Sequence, residues 1–378
     1  MLVALNKEQT LINVLHYSRK ELVRLRKEMM FYCLACQEPL ILKIGSVKQP
    51  HFAHLGTSNC AEQVSEREGV EHLQGKEQLF HHFKKIADEI ELEPFLAPIK
   101  QRPDVLVTVK NERFAIEFQC SSVEIARIQE RTHNYLQLQI HPAWILRTPS
   151  TLKCNAPSLM KIQLSKFQQA FINQTSTSSY LITYSPDRRY FYYATSLFYL
   201  YGNSYLTLLY PLSLQQQSIP LLKPIPLSNA QFFEMMQLYN RIKNQFVLQR
   251  IYRSKKGVND LLLRALYELN ISRNQVPNFI GVPTKYVAYI PLFSVEWQSA
   301  LFQFCMERNK WVTELGEGEV TYFLEKIQVL PTERCKEAVL TYIQFIEHLE
   351  IRDLHAFVEE RIIIEQLYLH IVALWCEN

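Results

Sequence analysis

Val105, Val107 and Val109 alternate with Leu106 and Thr108, and after Lys110-Asn111-Glu112 the apolar run resumes from Phe114 to Cys120. A period of two on either side of a turn-forming stretch predicts a β-hairpin. Upstream the period changes. Val70, Leu73, Phe80, Phe83, Ala87 and Ile90 follow helical spacing, and Ser65-Glu66-Arg67-Glu68 is a capping-box pattern, which predicts a helix from Ser65 to about Glu91. Downstream, Val123 to Gln139 reads as a second amphipathic helix and Ala143-Trp144-Ile145-Leu146 as a short strand. The expected order is helix, two or three strands, helix, strand.

The same reading divides the whole chain into four. Residues 1–62 form a small module with a first strand, a Ser18-capped helix through Arg24 and Lys27, and cysteine- and histidine-bearing hairpins. Residues 63–155 hold the order just described. Residues 156–227 are an accessory β segment and connector, with strands at Tyr180–Tyr184, Tyr190–Ala194 and Tyr205–Tyr210 and turns at Pro186-Asp187 and Gly202-Asn203. Residues 228–378 are helical, interrupted from Pro277 to Pro291 by an ordered crossover in preference to a binding loop. The fold class is mixed, α+β or α/β.

Composition narrows the class without naming a function. At 378 residues, 48% hydrophobic and 12% aromatic with nine glycines, the chain can build cores and is not a disordered sequence. Eight cysteines, Cys33, Cys36 and Cys60 clustered and Cys120, Cys154, Cys305, Cys335 and Cys376 scattered, suit an intracellular protein better than a disulfide framework. Lys7 and Glu8 interrupt the N-terminus, so no signal peptide is expected, and the apolar stretch Tyr190–Leu214 is broken by Gly202 and Pro211. A cytoplasmic protein without membrane insertion is the expectation. The net charge of +4 neither implies nor excludes nucleic acid. Its distribution is more informative: Arg241, Lys243, Arg250, Arg253, Lys255 and Lys256 occur with no acid among them, interleaved with Phe246 and Tyr252. Such a helix either tracks phosphates or is a solvated face over core aromatics.

Two constellations carry candidate chemistry. The hairpin brings the start of its first strand beside the far half of its second, so Asp104, Glu117 and Gln119 can share a face. Two carboxylates in that setting suit a hard cation such as Mg²⁺ or Mn²⁺. Ordinary surface carboxylates on a solvated hairpin are the alternative. Upstream, Cys33-x2-Cys36, His51-x2-His54 and Cys60 offer five ligands of the kind structural Zn²⁺ takes. The expected set is Cys33, Cys36, His54 and Cys60, with His51 as substitute or supporting group. Four protein ligands leave no position for water, so such a site would staple the module together.

Glu71-His72-x-x-x-Lys76, Arg102-Pro103-Asp104-Val105-Leu106, Ala115-Ile116-Glu117-Phe118-Gln119-Cys120-Ser121, Glu130-Arg131-x-x-x-Tyr135 and Trp144-Ile145-Leu146, with the upstream Cys and His pairs, together resemble the competence protein CoiA family. That family looks like a relative of the PD-(D/E)xK nucleases, which implies an αβββαβ core, a zinc-finger-like N-terminal module and a role in natural transformation. The resemblance implies that Asp104 and Glu117 hold a catalytic Mg²⁺ or Mn²⁺. It further implies that Glu71 or Glu68 completes the outer shell, that Lys76 and Gln119 support the chemistry and that His72 has a supporting role. The commonest pattern has Lys where Gln119 stands, and an amide brings no positive charge to the transition state. The implied partners are single-stranded or branched DNA, the recombinase and other competence proteins. A non-catalytic DNA-binding recombination mediator with a nuclease-derived core is the alternative, and a scaffold with no nucleic acid is a third.

Overall fold

The computed structural model describes residues 1–46, 48–55, 60, 69–174, 179–221, 227–272 and 275–372. The expected capping box at Ser65, with Glu68, and Cys376 lie outside the described residues.

The first module is a five-stranded antiparallel sheet in the order β2-β1-β3-β4-β5. Its strands are β1 (Val3–Leu5), β2 (Leu11–Asn13), β3 (Phe31–Tyr32), β4 (Pro39–Lys43) and β5 (His51–His54), with helix α1 (Arg19–Glu28) between β2 and β3. Ser18 caps α1: its hydroxyl accepts from the Glu21 amide, while the Glu21 carboxylate accepts from the Ser18 amide at 2.7 Å. Two orphan amides are satisfied there at once.

Next follow α2 (Val70–Phe83), β6 (Glu89–Leu92), β7 (Val105–Val109), β8 (Glu112–Gln119), α3 (Ile125–Gln137) and β9 (Ile140–Arg147). The helix expected to reach Glu91 therefore ends at Phe83, and Glu89 to Leu92 is a strand paired with β7. The reason is local. Glu89-Ile90-Glu91-Leu92 alternates with a period of two, and Ile90 and Leu92 find Val107 and Val105 opposite them on β7. The β7–β8 hairpin forms as expected. Lys110 and Asn111 both take left-handed backbone, as a two-residue hairpin turn requires, and Val105 faces Ile116. Helix α3 returns the chain so that β9 runs parallel to β8.

The sheet continues. β10 (Ser158–Gln163), α4 (Lys166–Gln169), β11 (Asn173–Gln174), β12 (Ser179–Ser185), β13 (Tyr190–Tyr199) and β14 (Ser204–Ser213) follow, and β12 pairs in parallel with β9. The strand order is β10-β14-β13-β12-β9-β8-β7-β6, with β11 on β12. Leu2 and Phe52 of the first module share one buried cluster with Leu73 of α2, Phe118 of β8 and Tyr184 of β12. Gly75 lets α2 sit directly on the sheet, since a methyl group there would collide with the Phe118 ring. Gly75→Ala is therefore expected to lower stability by about 1–3 kcal/mol, the usual cost of overpacking a filled core, read as a shift of the urea midpoint at unchanged slope.

The remainder is helical: α5 (Asn229–Arg253), α6 (Leu261–Glu268), α7 (Ser294–Glu307), α8 (Glu317–Lys326), α9 (Glu333–His348) and α10 (Glu360–Val372). α7 is buried almost all round, with Trp297 and Leu301 at its centre. The proline-flanked interruption is an ordered crossover. Phe279 and Ile280 are buried, and Gln298 of α7 accepts from the Gly281 and Val282 amides at 2.6 and 3.0 Å. No helix among the described residues is long and apolar enough to cross a membrane.

Candidate active site and metal cluster

The β7–β8 register places Asp104, one residue before β7, beside the end of β8. The Phe118 amide donates to Asp104 Oδ2 at 2.8 Å. From α2, one helical turn apart, His72 and Lys76 reach the same carboxylate: His72 Nε2 lies 3.2 Å from Oδ2 and Lys76 Nζ 3.5 Å from Oδ1. Burial pushes the Asp104 carboxyl up, but the charges of His72 and Lys76 and the two hydrogen bonds outweigh it. The group is held well below the usual carboxylate range and is anionic at neutral pH.

Glu117 sits on β8 with its carboxylate buried. Arg131 and Tyr135, one turn apart on α3, both donate to its Oε1. Oε2 takes no hydrogen bond from the described residues. Burial raises the Glu117 carboxyl; Arg131 opposes that and Asp104 adds to it, leaving the group above its ordinary value. Arg131 also donates to the Arg102 carbonyl at 3.2 Å and to the Tyr135 hydroxyl at 3.0 Å, so it ties α3 to the segment leading into Asp104.

The second constellation forms in the first module. One ligand atom each from Cys33, Cys36, His54 and Cys60 lies within 4.8 Å of all the others. The Cys33 to Cys36 turn has the hydrogen bonding of a metal knuckle: the Gln37 amide donates to the Cys33 carbonyl at 3.0 Å and the Ala35 amide to Cys33 Sγ at 3.4 Å. Cys36 Sγ is 3.4 Å from His54 Nε2. Three thiols and one imidazole in that space are the donor set of a tetrahedral Zn²⁺ site, and the cluster could hold such an ion. His51, the substitute ligand, stands apart from the four, with Nδ1 2.9 Å from the Gln49 carbonyl.

Comparison with known proteins finds two family models that match the chain. The family model for the competence protein CoiA N-terminal domain matches residues 14–63, and that for the CoiA nuclease-like domain matches residues 68–226. The chain belongs to the CoiA family. The competence protein CoiA of Bacillus subtilis strain 168 is 38% identical over 177 residues, covering 47% of this chain and 46% of that protein. The match thus spans about half the length of that curated relative. No solved structure matches the chain.

Other residues singled out by the CoiA resemblance fall elsewhere. Glu71 points to the surface and pairs with Arg147 at the end of β9, an exposed contact worth little energetically. Gln119 ends β8 with its amide donating to the Ser121 carbonyl at 2.7 Å. The six cations of the C-terminal segment are not brought onto one surface. Lys243 is buried and donates to the Ile280 carbonyl at 3.0 Å, with burial lowering its ammonium to about 8. Arg250 is paired with Glu296 and lies 3.6 Å from Asp260. Arg241, Arg253, Lys255 and Lys256 are exposed. Sequence spacing does not reveal that Lys243 and Arg250 take internal partners while the other four stay on the surface.

One site residue escaped the sequence reading. Glu93, directly after β6, is fully buried and left-handed, with φ 50°. Its carboxylate pairs with Lys76 and also accepts from the Leu2 amide at 2.7 Å and the Val3 amide at 3.3 Å. It links β1 of the first module to the lysine that faces Asp104. The available signal was the alternation of Glu89 to Leu92, which makes Glu93 a strand-end residue.

Proposed function

We propose that this protein is a Mg²⁺- or Mn²⁺-dependent nuclease of PD-(D/E)xK type that processes DNA during natural competence, acting on incoming single strands or branched recombination intermediates. The observation that supports this best is the meeting of two carboxylates, the half-buried Asp104 and the buried Glu117, with Lys76 and His72 behind one and Arg131 and Tyr135 behind the other. The order of elements around them, α2-β6-β7-β8-α3-β9, is that of the αβββαβ core. The donors suit a hard cation: Asp104 is kept ionised, and Glu117 Oε2 takes no hydrogen bond from the described residues. Mg²⁺ or Mn²⁺ held there would acidify water and offset charge on the phosphate.

The protein's own groups would do the rest. Lys76, buried, acts through Asp104, holding it ionised and in place. Gln119 at the strand end orients water or a phosphate oxygen without adding charge. Arg131 fixes Glu117 and brings the positive charge that Gln119 does not. In this reading, natural transformation is the setting, and the recombinase and other competence proteins are the partners.

The test is cleavage of labelled single-stranded, duplex and branched DNA with Mg²⁺ and with Mn²⁺. Wild type is expected to cut, and Asp104→Ala/Glu117→Ala to lose cutting altogether. DNA bound by both proteins and cut by neither would sink the catalytic reading. It would favour the second one, a DNA-binding recombination mediator, which the engagement of Glu117 Oε1 by Arg131 and Tyr135 and the missing lysine at Gln119 already support.

A further inference from the structure

Helix α1 carries five cations, Arg19, Lys20, Arg24, Arg26 and Lys27, and two carboxylates, Glu21 and Glu28. At about 100° per residue the five cations and Val23 occupy one continuous side of the helix. Leu22 and Leu25 lie on the other, Leu22 buried in the shared core and Leu25 packed against it. All five cations are exposed. The two acids are spent locally: Glu21 closes the capping box with Ser18, and Glu28 pairs with Arg24 at 3.2 Å. Among the described residues, Lys20, Arg26 and Lys27 have no carboxylate partner. Arg19 donates to the Lys48 carbonyl at 3.5 Å, so the exposed Lys48 adjoins the same surface.

We propose that the outward face of α1 is a nucleic-acid docking surface that contacts the phosphate backbone of the DNA substrate, chiefly through Lys20, Arg26 and Lys27. The proposal rests on the reading of the chain as a DNA-processing protein. Three observations carry it. Cations one turn apart, about 5.4 Å, form a ladder that a polyanion can follow. The apolar residues of α1 are turned inward, and Val23 alone interrupts the cationic side, so the helix offers no apolar face to a lipid surface. The module is fixed to the candidate active site, since Glu93 binds the Leu2 and Val3 amides and Leu22 shares a core with Phe118. A strand gripped on α1 is thereby held in a set relation to Asp104 and Glu117. The C-terminal basic segment is the weaker surface, with Lys243 and Arg250 committed internally.

The test uses the full chain and fluorescence anisotropy with labelled single-stranded and duplex oligonucleotides, in Mg²⁺-free buffer over a range of salt. Lys20→Gln/Arg26→Gln/Lys27→Gln is expected to bind roughly tenfold or more weakly near physiological salt, with the slope of log affinity against log salt reduced by about 2–3. Unchanged thermal unfolding would show that the exposed substitutions left the fold intact. Arg241→Gln/Arg253→Gln/Lys255→Gln/Lys256→Gln is expected to bind nearly as wild type. Full affinity and slope in the α1 variant, or loss only in the C-terminal variant, overturns the proposal. So does wild type that ignores DNA but binds phosphatidylserine vesicles through α1. Binding through α1 without cutting would leave this surface standing and sink the nuclease reading. Cutting by a chain whose α1 variant binds normally would do the reverse.

Discussion

Glu93→Ala is expected to lower stability by about 3–5 kcal/mol, the cost of leaving a buried charge without its partner. Lys76 would lose the Glu93 carboxylate and keep Asp104 at 3.5 Å, and the Leu2 and Val3 amides would lose their acceptor. Lys76→Met should cost a similar amount for the mirror-image reason. The double variant Glu93→Ala/Lys76→Met separates the contributions. Replacing a buried pair by apolar groups is often neutral, but here two amides would stay unsatisfied, at about 1–3 kcal/mol each. It should therefore recover part of the single-variant loss and no more. Urea unfolding of the four proteins measures the coupling. Additive losses would mean that Glu93 and Lys76 do not act as a pair, and recovery to wild type would mean that the clamp on β1 contributes nothing.

Glu93 also marks where the sequence stopped being legible. The carboxylates on the hairpin and the cysteine cluster are local patterns: Asp104 and Glu117 are joined by one two-residue turn, and Cys33 and Cys36 by one knuckle. Short-range periodicity and turn chemistry suffice for both. Glu93 acts across the fold, on Leu2 from 91 positions away, and it follows a segment whose helical spacing masked a period of two. Arg131 and Tyr135 were visible as neighbours on one helix face, but only the parallel β8–β9 crossover shows that they converge on Glu117. Lys243 and Arg250 failed in the opposite sense, because a basic run reads as surface until the helices around it are in place. Local geometry was readable, and the pairing of buried charges between distant elements was not.

The cysteine cluster leads to the second large effect. The purified protein is expected to carry zinc, about one ion per chain, and Cys36→Ser or His54→Ala to lose it. His51→Ala should keep it, since His51 is engaged with the Gln49 carbonyl outside the cluster. Elemental analysis of the variants decides this, and loss with His51→Ala but not His54→Ala would reassign the ligand. Burial, with the Cys60 and Cys33 thiols alongside, pushes the Cys36 thiol up to about 12. Without a cation, the Cys36 thiol therefore stays protonated at neutral pH. A divalent ion removes that penalty by taking the thiolates as ligands, so its binding energy becomes folding energy of the module and weakens as acid competes for the sulfurs. The effect should not stop at residue 60. Phe52, at the centre of β5, lies in the same core as Leu73 and Phe118, and β1 is held by the carboxylate that pairs with Lys76. Stripping zinc and resupplying Mg²⁺ alone is expected to lower the thermal midpoint and to abolish cutting, although a four-ligand zinc has no open position for chemistry. Full cutting by the stripped protein would mean that the module and the candidate active site are energetically independent, in spite of the buried carboxylate they share.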